Sequence, residues 1–112
     1  MAIIIKHGAS IDKCRAAILD AAIQINTVFA DYGKDMVITS GSELYKHSVK
    51  RSKHYSGDAI DVRSKHLTEP QKLAVREKIS AILGDDFVVI LESPGKEWEH
   101  YHIHYAPIFK ES

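Results

Sequence analysis

The chain is short of three things: cysteine, net charge and long apolar runs. Its single cysteine, Cys14, excludes an intramolecular disulfide framework. Cys14 falls on the apolar stripe of a predicted helix, so the expectation is a buried, unreactive thiol. Fifteen Lys and Arg balance fifteen Asp and Glu. That balance argues against a general nucleic-acid binder, which carries a basic excess or stripe. The local cluster Lys46, Lys50, Arg51 and Lys53 is too short to reverse it. No segment reaches the length of a membrane span. The opening Met-Ala-Ile-Ile-Ile-Lys-His-Gly does not read as a signal peptide, because its apolar run is short and its charge follows the run. The chain is therefore expected to be cytoplasmic as synthesised, monomeric, and without a nucleic-acid or membrane partner.

What is present is ordinary for a globular protein. The 112 residues are 45% hydrophobic and 27% charged, enough apolar material for a core and enough charge for a soluble surface. There is no repeat, linker or low-complexity stretch, so residues 1–112 are read as one domain.

Residues 2–6 suit a short edge strand or arm. Ile11, Cys14, Ile18, Ala22, Ile25 and Phe29 recur at spacings of three and four, which predicts a helix from an N-cap at Ser10 to a stop at Gly33. Met36 to Thr39 reads as a buried strand, and residues 41–53 as a long polar loop. Residues 58–62 predict a second strand, with Ala59 and Asp61 on one face and Ile60 and Val62 on the other. Thr68-Glu69-Pro70-Gln71 is a capping box with proline in the first turn. The helix it opens is expected to turn Leu73, Val75, Ile79, Ile82 and Leu83 inward and to stop at Gly84. Phe87 to Leu91 is a continuous apolar run, typical of a central strand. Residues 93–96 form a turn, and His100 to Tyr105 alternate as a final strand ended by Pro107. The predicted fold class is α+β: one small antiparallel sheet with helices against one face.

Two stretches carry chemistry. The first is Ser52-Lys53-His54-Tyr55-Ser56-Gly57-Asp58-Ala59-Ile60-Asp61. Gly57 allows a sharp bend between His54 and Asp61, and the small Ala59 would leave room beside a metal. Alone, this segment reads rather as a surface histidine followed by an N-cap or turn aspartate. The second is Glu99-His100-Tyr101-His102-Ile103-His104, whose three histidines share one strand face. Together they hold the inventory of a catalytic zinc site with an open position. In a regular strand Glu99 and His102 point to opposite faces. For Glu99 to join such a site the chain must bulge or turn near it.

Ser52-x-His54-x-x-Gly57-x-Ala59-x-Asp61 resembles the S-x-H-x-x-G-x-A-x-D motif of the zinc D-Ala-D-Ala carboxypeptidases. That family includes D-Ala-D-Ala dipeptidases and the L-alanyl-D-glutamate endopeptidases of phage endolysins. Glu99-His100-Tyr101-His102 is similar to the family's second motif, and Thr39-Ser40-Gly41 to the segment before the first. The likeness covers roughly residues 36–106. It implies the family's fold, a small antiparallel sheet flanked by helices. It implies zinc held by His54, Asp61 and His102, with Glu99 as general base and His100 stabilising a developing oxyanion. The implied activity is hydrolysis of peptidoglycan peptides, by a carboxypeptidase or an endopeptidase, in a phage or viral lysis setting. The chain would then meet the cell wall after lysis or delivery. Two other registers exist: Glu97 with His100, and His104 with Tyr101 in the acid's place.

One departure stands out. Many relatives carry an arginine just after Thr-Ser-Gly, where this chain has Ser42-Glu43. Ser52, Lys46 and Arg51 are the residues assigned to substrate binding in its stead, with Lys50 a further candidate. His7, His47 and His66 are expected to be solvated, and Glu92 to be a solvated strand end. Trp98 is read as a packing anchor for its turn, with substrate contact the alternative. Tyr55 and Tyr101 suit either a cleft wall or the core. Beside the peptidase reading stand a non-catalytic zinc-binding protein of the same fold and a metal-free interaction domain.

Overall fold

In the computed structural model, residues 1–43, 53, 54 and 56–107 are described. Seven elements follow in order: β1 (Ile3–Ile5), α1 (Ala16–Asp31), β2 (Met36–Ser40), β3 (Ala59–Arg63), α2 (Glu69–Leu83), β4 (Phe87–Glu92) and β5 (His100–Tyr105). The five strands form one sheet in the order β1-β2-β3-β5-β4. The class is α+β, as the sequence predicts. The sheet is mixed rather than wholly antiparallel, because β1 runs parallel to β2. The apolar run of β4 lies at an edge instead of the centre, with Ile90 41% exposed.

Both helices pack on one face of the sheet. Ile18, Ile25 and Phe29 of α1 and Val75 and Ile79 of α2 share a core cluster with Ile38, Ile60, Val62, Val89, Tyr101 and Ile103 of the strands. Burying the aliphatic members and Phe29 supplies about 1.5–3 kcal/mol each before entropy is counted. The alternation of β3 and β5 sends Ile60, Val62, Tyr101 and Ile103 into this core. The residues between them face the other way, and that second face carries the histidines.

The capping box of α2 forms as expected: the Gln71 N–H donates to Thr68 Oγ1 at 3.3 Å and the Thr68 N–H to Gln71 Oε1 at 3.0 Å. The buried stripe of that helix is Lys72, Val75 and Ile79, whereas Leu73 and Ile82 are exposed. The first helix begins later than Ser10. Arg15 is its N-cap and has no side-chain cap bond. Backbone groups that an earlier start would use are engaged elsewhere. Ser10 O accepts from the Ser42 N–H at 2.6 Å, and the Arg15 N–H donates to Gly57 O at 2.9 Å. Ile11 and Cys14 still pack against the core from this non-helical segment, and burial pushes the Cys14 thiol up.

Candidate metal centre

The open face is a ladder of aligned rows. On β3 and β5, Ala59 pairs with His104, Asp61 with His102, and Arg63 with His100. On the far side β4 places Val88, Ile90 and Glu92 against the same three histidines. On the near side Ser40 of β2 pairs with Asp61. Strand pairing alone therefore sets Asp61 beside His102.

His54 arrives from the loop before β3. Its ring is buried, and its Nδ1–H donates to the Gly41 carbonyl at 2.8 Å. A carbonyl can only accept, so this bond fixes the tautomer and leaves Nε2 aimed at Asp61. The loop is held by two close backbone approaches. Gly57 has φ +79°, and a Cβ there would lie 2.1 Å from the Lys13 carbonyl oxygen. A Cβ on Gly41 would lie 2.2 Å from the Ser10 oxygen. Only glycine tolerates such approaches, so the segment 10–15 clamps both ends of the loop that carries His54. Glu43 closes the same corner: its carboxylate accepts from the Ser10 N–H at 3.0 Å, the Gly41 N–H at 2.7 Å and the Ser40 hydroxyl. Burial works to raise the Glu43 pKa, but these donors outweigh it and the net shift is downward.

His54 Nε2 stands 3.3 Å from Asp61 Oδ1, and His102 Nδ1 stands 2.9 Å from the same oxygen. His102 Nε2 is 2.9 Å from His104 Nδ1. The ligand atoms of His54, Asp61 and His102 all lie within 4.8 Å of one another, so the group can hold a metal ion. Tetrahedral ligands at about 2.1 Å from a common ion would stand roughly 3.4 Å apart, close to these separations. Two imidazoles and one carboxylate also fit a three-ligand site with an open position. Burial alone would raise the Asp61 pKa, but the bonds from His102 and His54 hold its carboxyl well below the usual range. Burial opposes charging of His54, yet Asp61 and the Gly41 carbonyl raise its pKa. For His104, burial and the neighbouring His102 push it down.

Glu99 sits elsewhere. Its carboxylate accepts from the Ser64 hydroxyl at 2.5 Å, the Gly95 N–H at 3.0 Å and Lys72 Nζ at 3.0–3.2 Å. Lys72 is on α2, so Glu99 keeps the alternation of β5 and turns to the helix side. The irregularity expected to bring it to the Asp61 face does not form. Among the described residues no hydrogen bond or ion pair joins Glu99 to the three ligand residues. Burial acts to raise its pKa, but Ser64, Gly95 and Lys72 bring it below the ordinary carboxylate value. The residue still forms part of a cleft wall shared with Asp61 and His100.

His100 lies beside the site, with Nε2 3.6 Å from Asp61 Oδ2 and 3.7 Å from Glu92 Oε2. Glu92 Oε1 is 3.8 Å from His102 Nδ1, so Glu92 borders the site instead of simply ending a strand. Trp98 is 65% exposed and lines the cleft beside His100 and Glu99 instead of packing in the core. His66 is half-buried, stacks on Phe29 at 5.6 Å, and its Nε2–H donates to the Asp35 carbonyl at 2.8 Å. Tyr101 is core, its hydroxyl donating to the Lys72 carbonyl at 2.5 Å. Ser52, Lys46, Lys50, Arg51, His47 and Tyr55 lie outside the described residues. The sequence reading missed Lys72 and Ser64. Lys72 had a signal, since it stands three before Val75 and seven before Ile79 on the inward stripe.

Among the described residues no helix is long and apolar enough to cross a membrane. Comparison with models of known protein families, with curated proteins and with solved structures gave no match.

Proposed function

We propose that the protein is a zinc-dependent peptidase acting on bacterial cell-wall peptides, of the carboxypeptidase or endopeptidase type that its two motifs resemble. The observation that supports this most is the meeting of His54, Asp61 and His102 on the open face of the sheet. When bound, zinc would supply a Lewis acid for a peptide carbonyl and make a water molecule acidic enough to ionise near neutral pH. The chain's own residues would orient and exchange protons. Gly41 holds His54 in the required tautomer, and His104 offers a partner for the outer nitrogen of His102. His100 donates its Nδ1–H to the Trp98 carbonyl at 2.7 Å and turns Nε2 to the edge of the site, so it would steady negative charge developing on the substrate oxygen only with a second proton, carried on Nε2.

Glu99 is the proposed proton carrier, on the strength of its motif position and its place in the wall of the cleft. To serve, it must exchange its contact with Lys72 during turnover. That engagement is also what favours a second reading, a zinc-binding protein of this fold without catalysis. Glu92, bordering His100 and His102, is the other acid within reach of the ligands.

Digestion of purified peptidoglycan separates these readings. The zinc-loaded protein should release fragments with new amino termini, and His54→Ala should release none. Glu99→Gln should be inactive while keeping its zinc. Full activity in that variant, with loss in Glu92→Gln, would transfer the proton role to Glu92. A zinc-loaded wild type that releases nothing would favour the non-catalytic reading.

A further inference from the structure

A cleft of about 340 Å³ opens beside Asp61 and His100. Three cations line it: Lys6, Arg63 and Lys65. No side-chain ion pair occupies any of the three among the described residues. The acids in the lining are not equivalent to them. Asp61 is engaged by His54 and His102, and Glu99 is paired with Lys72. Among the described lining residues only the exposed Glu97 is left to oppose the cations. A cleft with unpaired cations on low-dielectric walls concentrates anions.

Spacing narrows the ligand. Arg63 follows Asp61 by two residues on the same face of β3, so their Cα atoms lie about 6.6 Å apart along the strand. One extended residue covers about 3.5 Å, and a guanidinium–carboxylate hydrogen bond adds about 2.8 Å. A substrate carbonyl at the metal centre would thus put a carboxylate one residue further on within reach of Arg63. We infer that Arg63, supported by Lys65 and Lys6, binds a substrate carboxylate next to the bond that is cut. This rests on the peptidase reading above and names what the substrate must carry. It also assigns the carboxylate-binding cation to the strand after Asp61, whereas the position after Thr39-Ser40-Gly41 holds an acid engaged by Ser10, Ser40 and Gly41.

The test measures binding and turnover separately, on zinc-loaded protein. The probes are N-acetyl-lysyl-D-alanyl-D-alanine, its C-terminal amide, and the same amide with a glutamate side chain in the last position. The wild type should bind the acid at least about tenfold more tightly than the plain amide, as expected for a charge-assisted bond. Tight binding of the glutamate-bearing amide would identify a side-chain carboxylate as the feature read, and would support the inference equally. Arg63→Gln should erase the preference with zinc affinity unchanged, Arg63→Lys should restore part of it, and the exposed Lys65→Gln should weaken it less. Equal affinity for all three probes in the wild type, or an intact preference for a carboxylate-bearing probe in folded Arg63→Gln, overturns the inference. If Arg63-dependent binding appears without hydrolysis, the peptidase reading fails and the carboxylate site stands. If hydrolysis appears without acid preference, the reverse holds.

Discussion

Replacing Lys72 with methionine should destabilise the protein severely. Lys72 and Glu99 are 7% and 3% exposed, and the ammonium lies 3.0 Å from Glu99 Oε2. Methionine keeps the aliphatic stem but leaves the carboxylate with only Ser64 and Gly95 as donors. Breaking a buried pair by removing one partner costs about 3–5 kcal/mol. The second contact of Lys72, to the largely exposed Glu69, adds little to that. At about 2.1 cal/mol/K of unfolding entropy per residue, the loss lowers Tm by roughly 13–21 °C for a chain of this length. Lys72→Met with Glu99→Gln removes both charges and should recover most of the loss, because a neutral amide still meets Ser64 and Gly95. Urea and thermal unfolding followed by circular dichroism give both numbers. A loss below about 1 kcal/mol in Lys72→Met, or a double variant no better than the single, would show that Glu99 does not depend on Lys72.

Two further outcomes follow from the same geometry. Gly57→Ala forces a side chain into a left-handed backbone and against the Lys13 carbonyl, so it should cost at least about 2 kcal/mol and weaken zinc binding with it; a calorimetric scan with and without zinc checks both. The folded pKa of Glu99 lies below its ordinary 4.5, so its contribution to stability is complete above that pH and is lost as pH falls through the lowered value. Glu99→Gln should therefore flatten the acid limb of the stability curve, read from Tm between about pH 2 and 6.

Much of this architecture was legible because short-range rules governed it. The α2 start needed only Thr68, Pro70 and Gln71, and the strands of the open face needed only alternation. That alternation put Asp61 and the three histidines outward. Other features depended on partners distant in sequence. Ser10 fails as a cap because residues 10–15 donate and accept across to Ser42, Glu43 and Gly57. The direction of β1 is set by its pairing with β2, which three exposed isoleucines do not encode. Glu99 turned inward because a lysine from α2 waits there, and that contact is visible only once the helix is packed. His54 is the intermediate case: its residue type and spacing suggested a ligand, while its tautomer required the Gly41 carbonyl.

Zinc titration by calorimetry on metal-free protein addresses the central claim most directly. The account predicts one site per chain, lost in Asp61→Ala and in His102→Ala while circular dichroism stays native, with affinity falling as pH drops and the imidazoles take up protons. A wild type that takes up no zinc, or an Asp61→Ala variant that binds it unchanged, would contradict the account.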